Sequence, residues 1–213
     1  MPETLCLEVG APGALEKAIQ VLNRGEVVAF PTDTVYGVGA HAFLPEAVER
    51  LYGLKERPGR QAIPLLLPDA EALHLVCQEI PPLAWLLVER FWPGGLSLVL
   101  PRADSVPAIV TAGGDTVAVR VPDHDLVRSI CRGLGAPLAA TSANLHGQPA
   151  PVTASEVLAA LGGRIPLLLD GGACRGGVAS TLLDLTVSPP AILRSGPISA
   201  AELAGVVGEV ASR

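Results

Sequence analysis

Apolar residues recur at helical spacing between positions 12 and 24, at Leu15, Ala18, Ile19 and Leu22, and Gly25 supplies a stop. The apolar run Val27 to Phe30 reads as a short buried strand feeding the polar loop Pro31-Thr32-Asp33-Thr34. Alternation continues from there. Helices are expected over 45–56, 69–78, 82–90, 123–134, 153–161 and 199–210. Strands are expected over 63–67, 96–100, 116–121, 138–141, 166–169, 180–185 and 191–193, with 106–110 as a further candidate. Thr153 followed by Glu156 has capping-box spacing. No repeat and no long linker interrupts the series. The chain therefore reads as a single α/β domain over 1–213, a twisted mixed β-sheet flanked by helices, with a strand order that the pattern does not fix.

Composition refines this picture. The chain is 49% hydrophobic but only 3% aromatic, so its core must be built from aliphatic side chains, as suits a sheet covered by helices. Its formal net charge of −6 argues against general binding to a nucleic-acid backbone, while leaving room for a local cationic pocket. Cys6, Cys77, Cys131 and Cys174 are widely spaced, with no CxxC, which speaks for isolated, mostly buried thiols rather than disulfides or zinc. The N-terminus MPETLCLEVG has no basic stretch and does not read as a secretory signal. No apolar run reaches membrane-spanning length, so the expectation is a cytoplasmic protein.

Candidate chemistry gathers where apolar runs end. The loop after Phe30 offers two hydroxyls and a carboxylate, although a turn in which Asp33 and Thr34 bond their own backbone accounts for it locally. Lys55, Arg57 and Arg60 fall within six residues at a helix end, equally consistent with dipole complements and with a phosphate clamp. Lys55 is one of only two lysines in the chain. Arg120 interrupts an apolar strand, where a lone charge would be expensive; it needs an acidic partner or an anionic ligand. Ser142-Ala143-Asn144, Ser180-Thr181 and Arg194 repeat the theme of polar groups at strand ends. The P-loop, dinucleotide-binding, zincin and nucleophile-elbow patterns are absent, and the four histidines are scattered. A site of this kind would position anions rather than form covalent intermediates.

Read in order, FPTDTVYGVGA at 30–40, LYGLKERP at 51–58, FWPGGLSLVLP at 91–101, VAVRVPDH at 117–124, APLAATSANLHGQP at 136–149, ASTLLDLT at 179–186 and ILRSG at 192–196 resemble the YrdC-like family of threonylcarbamoyl-AMP synthases, in its short form. The resemblance covers roughly 12–205. It implies a YrdC-like fold and a nucleotidyltransferase that converts L-threonine, bicarbonate and ATP to threonylcarbamoyl-AMP and pyrophosphate. Other proteins would then pass the threonylcarbamoyl group to tRNA, and contact with tRNA or with those proteins would be transient. Mg²⁺ is implied as the partner of ATP, with no metal site of the protein's own. The resemblance assigns Thr34, Arg120 and Ser180 to threonine. It assigns Lys55, Arg57, Gln61, Thr116, Ser142, Asn144 and Arg194 to the nucleotide. Where the family often has PGPxT this chain has Pro93-Gly94-Gly95-Leu96-Ser97, and His146 replaces the serine of SANxSG.

Three other readings stay open at this point, one of them purely structural, in which every cation is a cap or a surface ion pair, a reading strained by seven motifs at once. An RNA-binding module would use a cationic concave face, against which the acidic charge weighs. A carbamoyl-transfer domain like those of hydrogenase-maturation proteins shares related motifs but usually sits in a much longer chain with paired cysteines.

Overall fold

The computed structural model describes residues 3–55 and 61–212. In chain order the elements are β1 (Leu5–Glu8), α1 (Ala14–Asn23), β2 (Val28–Phe30), β3 (Gly37–His41), α2 (Pro45–Lys55) and β4 (Leu65–Leu66). There follow α3 (Leu73–Val76), α4 (Pro82–Phe91), β5 (Leu96–Pro101), β6 (Thr116–Arg120), α5 (Asp125–Leu134) and β7 (Leu138–Ser142). The series closes with α6 (Ala154–Leu161), β8 (Leu167–Asp170), β9 (Thr181–Asp184), β10 (Ala191–Arg194), α7 (Ala200–Val207) and β11 (Ala211–Ser212). No helix among the described residues is long and apolar enough to cross a membrane.

All the strands join one mixed sheet in the order β1-β8-β2-β3-β7-β4-β6-β5-β9-β10-β11. The β2–β3 hairpin is antiparallel, pairing Phe30 with Gly37, so residues 31–36 form a turn at the sheet's end. β3 then pairs antiparallel with β7 from Gly37↔Ser142 to His41↔Leu138. This brings the Pro31–Tyr36 turn beside the Ser142-Ala143-Asn144 loop. On the far side β6 pairs antiparallel with β5, and β5 pairs parallel with β9.

Alternation along the strands sorts side chains between two faces. On one face Leu96, Leu98, Leu100, Val117, Val119 and Leu183 join Leu51, Leu87 and Leu203 from α2, α4 and α7 in a large core. On the other face α1 and α5 cover a smaller core of Val28, Phe30, Leu66, Leu138, Leu167 and Leu169. That smaller core includes no residue of β5, β6, β9 or β10. The stretch of sheet these strands present on that face is the site.

The hydrophobic pattern located most elements and misread some. The expected helix at 69–78 is only α3, because residues 69–72 form turns in which Asp69 accepts from the Ala72 N–H at 3.2 Å. The expected strand at 106–110 is a turn region. Val106 and Val110 are fully buried, but the Val110 N–H goes to the Pro107 carbonyl rather than to a neighbouring strand. The closing helix stops at Val207, before Gly208 with φ 80°. β1, β3 and β11 were not anticipated. Thr153 does form the reciprocal capping box with Glu156. Of the four thiols, Cys77 and Cys131 are buried and desolvation pushes both up to about 12, whereas Cys6 is exposed.

Candidate active site

A cavity of about 400 Å³ opens over the uncovered stretch of sheet. Its floor is the outward set of alternating strand residues, Ser97 and Val99 on β5, Thr116, Ala118 and Arg120 on β6, and Leu182 on β9. Its rim is supplied by Thr32, Thr34, Gln61, Thr141, Ser142, Ser180 and Arg194. The wall is thus hydroxyls, one carboxamide, aliphatic carbons and two guanidinium groups. None of the described lining residues is His, Cys, Asp, Glu or Lys.

Arg120 ends β6 and is 5% exposed. Its Nη2 donates to both carboxylate oxygens of Asp33 at 2.6 Å, Nη1 donates to Thr34 Oγ1 at 3.0 Å, and Nε donates to the Gly94 carbonyl at 2.7 Å. Burial pushes the guanidinium below its ordinary value and Asp33 opposes the shift. Of the acidic partner or anionic ligand anticipated for this charge, the structure shows the acid. Gly94 has to be glycine, since a Cβ there would lie 2.6 Å from the Phe91 carbonyl oxygen. The break after α4 therefore delivers the carbonyl that holds Arg120.

The local turn reading of the 31–34 loop needs correction. Asp33 does not close on its own backbone but reaches the strand that carries Arg120. Thr32 makes the turn instead. Its Oγ1 accepts from the Thr34 and Val35 N–H groups at 3.1 and 3.2 Å and donates to the Val35 carbonyl at 2.7 Å.

Arg194, at the end of β10, is the other cation. Its Nε donates to the Ser180 carbonyl and its Nη2 to Ser180 Oγ, both at 3.0 Å. Among the described residues no carboxylate forms an ion pair with it. Partial burial, and then the like charge of Arg120, push its pKa below the ordinary value. Ser180 Oγ also lies 2.8 Å from Ser97 Oγ. A Cβ on Gly196 would come within 2.3 Å of the Thr181 nitrogen, so only glycine lets the chain after Arg194 lie against this corner.

Of the residues singled out in the sequence, Thr34, Gln61, Thr116, Arg120, Ser142, Ser180 and Arg194 line the cavity. Lys55 and Asn144 stand behind the wall. Lys55 is 2% exposed, and its ammonium donates to the Ser142 and Asn144 carbonyls at 2.7 Å and to Asn144 Oδ1 at 2.8 Å. Ser142 Oγ also donates to Asn144 Oδ1. Lys55 therefore shapes the loop that presents Ser142. Arg57 lies outside the described residues. Sequence reasoning missed Asp33 as a counter-ion, and Thr32 and Thr141 as lining residues; their signal was only that they are polar residues beside apolar strands.

A buried cation with its acid and a second cation with no acid among the described residues, set among hydroxyls, form an anion-receptive pocket on an α/β sheet. The family model Sua5_yciO_yrdC, described as telomere recombination, matches residues 20–196. The chain belongs to that family. The threonylcarbamoyl-AMP synthase of Pyrococcus abyssi is 43% identical over 189 residues, spanning 89% of this chain and 56% of that protein. The threonylcarbamoyl-AMP synthase of Vibrio campbellii is 37% identical over 188 residues, spanning 85% of this chain and 98% of that protein. The crystal structure of P. abyssi Sua5 complexed with L-threonine matches with a TM-score of 0.96 at 39% identity, covering 99% of this chain and 63% of that one. The chain thus spans little more than half the length of its Pyrococcus relative.

Proposed function

We propose that this chain is a threonylcarbamoyl-AMP synthase. L-Threonine and bicarbonate would give the N-carboxylated amino acid with loss of water. A carboxylate oxygen of that carbamate would attack the α-phosphorus of ATP, and pyrophosphate would leave. The reaction needs no protein nucleophile, and the described lining holds no His, Cys, Asp, Glu or Lys to activate its hydroxyls. Catalysis is then positioning and charge neutralisation, which can supply most of the acceleration of a phosphoryl or nucleotidyl transfer.

The observation that carries this reading is Arg194. It stands at the cavity rim beside Arg120, with hydroxyl and carbonyl neighbours but no carboxylate among the described residues. A cation held next to another cation gains most when an anion arrives, and triphosphate or carbamate oxygens supply that charge. Threonine would meet Thr34, Arg120 and Ser180. The nucleotide would meet Gln61, Thr116, Ser142 and Arg194, together with Arg57; Lys55 and Asn144 would act by holding the Ser142 loop. The described residues offer no cluster of three or more metal-ligating side chains, and the Asp33 carboxylate is spent on Arg120. Mg²⁺ would accordingly enter as MgATP, on phosphate oxygens and water. The product would pass to proteins that modify tRNA, and the net charge of −6 gives the chain itself no broad electrostatic hold on RNA.

The test is pyrophosphate release from ATP with Mg²⁺, with and without bicarbonate and L-threonine. Release that requires both is the expected result. Equal release without threonine, or none from folded protein, would overturn the proposal.

A further inference from the structure

The registers across β5, β9 and β10 set three cavity-facing side chains in one row. Ser97 pairs with Leu182, Leu182 pairs with Arg194, and all three line the cavity. Ser180 stands beside that row, just before β9. The Thr181 N–H donates to the Gly95 carbonyl at 2.9 Å, which ties this segment to the start of β5.

Ser97 and Ser180 are 1% and 5% exposed, and their hydroxyl oxygens lie 2.8 Å apart. Ser97 Oγ has no other hydrogen-bond partner among the described residues. Ser180 Oγ has one, Arg194 Nη2 at 3.0 Å, and a guanidinium nitrogen can only donate. Two hydroxyls carry two protons, and their mutual contact takes one. If Ser97 donates, the Ser180 proton is left over; if Ser180 donates, the Ser97 proton is left over. Neither arrangement asks an oxygen for more than its two lone pairs. In both, one buried O–H lacks an acceptor among the described residues. A hydroxyl serving structure alone looks different. Thr4 donates to the Ile165 carbonyl at 2.7 Å and accepts from the Gly163 N–H at 2.8 Å.

Water can take the spare proton until a substrate displaces it. The substrate must then bring an acceptor of its own, because a buried donor left unpaired is costly. The charge of the corner decides which kind. Arg194 has no carboxylate partner among the described residues, and Arg120 adds a like charge nearby. An oxyanion satisfies the O–H and offsets the guanidinium charge together, whereas a neutral carbonyl does only the first. We infer that Ser97 and Ser180 form one donor unit, offering a single hydroxyl proton to a substrate oxyanion at the Arg194 corner. This deepens the synthase reading and rests on it for the source of the oxyanion, the carboxylate of L-threonine or a phosphate oxygen of ATP.

The experiment is calorimetric titration of L-threonine, and separately of inorganic pyrophosphate, into the full chain and its Ser97→Ala, Ser180→Ala and doubly substituted variants, with thermal midpoints measured alongside. The double variant is expected to lose about 10- to 100-fold in affinity for one of the two probes, the effect of one hydrogen bond to a charged acceptor. Because one proton is on offer, the two single losses should not both reach about tenfold. A loss confined to threonine assigns the oxyanion to its carboxylate, and a loss confined to pyrophosphate assigns it to the phosphates; either supports the inference. A double variant within about twofold of the parent for both probes overturns the inference and leaves the synthase reading intact. Losses of about tenfold in each single variant for the same probe overturn it as well, since two separate contacts are then present. A parent protein that binds pyrophosphate but no L-threonine overturns the synthase reading, and the donor unit is then judged on pyrophosphate alone. Should the double variant fail to fold, neutron diffraction from the unaltered protein with L-threonine and pyrophosphate bound decides the point. A deuteron from either serine directed at a ligand oxygen supports the inference, and two deuterons directed at protein atoms overturn it.

Discussion

Asp33 is expected to trade folding stability against anion affinity, and removing it should move the two in opposite directions. Arg120 is 5% exposed in the parent, and Asp33→Ala leaves its guanidinium only neutral acceptors, Thr34 Oγ1 and the Gly94 carbonyl. Breaking a buried pair by deleting one partner costs about 3–5 kcal/mol, because the other charge is left uncompensated. The Asp33 side chain is 18% exposed, so water can enter after truncation and the lower end, about 3 kcal/mol, applies. For a chain of this size that is a fall in Tm of about 6–12 °C. Asp33→Asn keeps one acceptor oxygen and should fall about half as far. Both variants also leave the cavity with one more uncompensated positive charge near Arg194, so inorganic pyrophosphate should bind more tightly than to the parent. Differential scanning calorimetry with pyrophosphate titration reads both quantities. A Tm for Asp33→Ala within about 2 °C of the parent, or weaker pyrophosphate binding in a folded variant, would refute the assignment of Asp33 as the counter-ion.

Three further outcomes follow from other parts of the molecule. Gly196→Ala would put a methyl group 2.3 Å from the Thr181 nitrogen and 2.5 Å from the Ala179 oxygen, both backbone, so the Ser180–Arg194 corner must shift. Misplacement on the order of 1 Å should lower threonine-dependent pyrophosphate release about 100-fold. His41 is pushed below its ordinary 6.5 by burial, against its own backbone hydrogen bond and Glu46, and the Phe43 N–H donates to its Nδ1 at 3.2 Å. A folded-state pKa below the unfolded one means that the contribution is complete above about pH 6.5 and is lost as pH falls through the folded value. Urea midpoints at pH 8 and pH 5 should therefore converge in His41→Asn relative to the parent. Thr153→Ala removes the α6 capping box and should cost about 1 kcal/mol in urea unfolding, with pyrophosphate release unchanged.

Elements with one buried stripe were legible because periodicity records burial. α5 buries helically spaced apolar residues and β5 is an apolar run buried from Leu96 to Leu100, and both lie within a residue or two of where the pattern put them. β3 was not legible. Its sequence GVGAH has two glycines that read as loop, yet it sits mid-sheet between β2 and β7. A Cβ at Gly37 or Gly39 would lie 3.1 or 2.9 Å from the Phe30 ring, so the aromatic on β2 fills the space that side chains on β3 would have occupied. β1 failed for the opposite reason. It is an edge strand with Leu5, Cys6 and Glu8 exposed, so nothing forces an apolar alternation onto it.

For the site, sequence reasoning could find cations and hydroxyls but not the pairing among them, and the pairing decides what each one does. Arg120 was legible as a charge that needed an anion, because an unpaired guanidinium in an apolar strand is too costly to ignore. Which anion it meets depends on a turn 87 residues away in sequence, brought alongside by the β3, β7, β4 and β6 order. Lys55 shows the same dependence with the opposite result. Its place at a helix end suited a dipole complement and a phosphate clamp equally, and its described hydrogen bonds go instead to the loop behind the wall. Arg194 gave the weakest sequence signal, at the end of a short strand, and it is the cavity cation without a carboxylate among the described residues. The capacity to take an anion therefore belongs to the arrangement, in which Asp33 neutralises one guanidinium and leaves the next one short of charge.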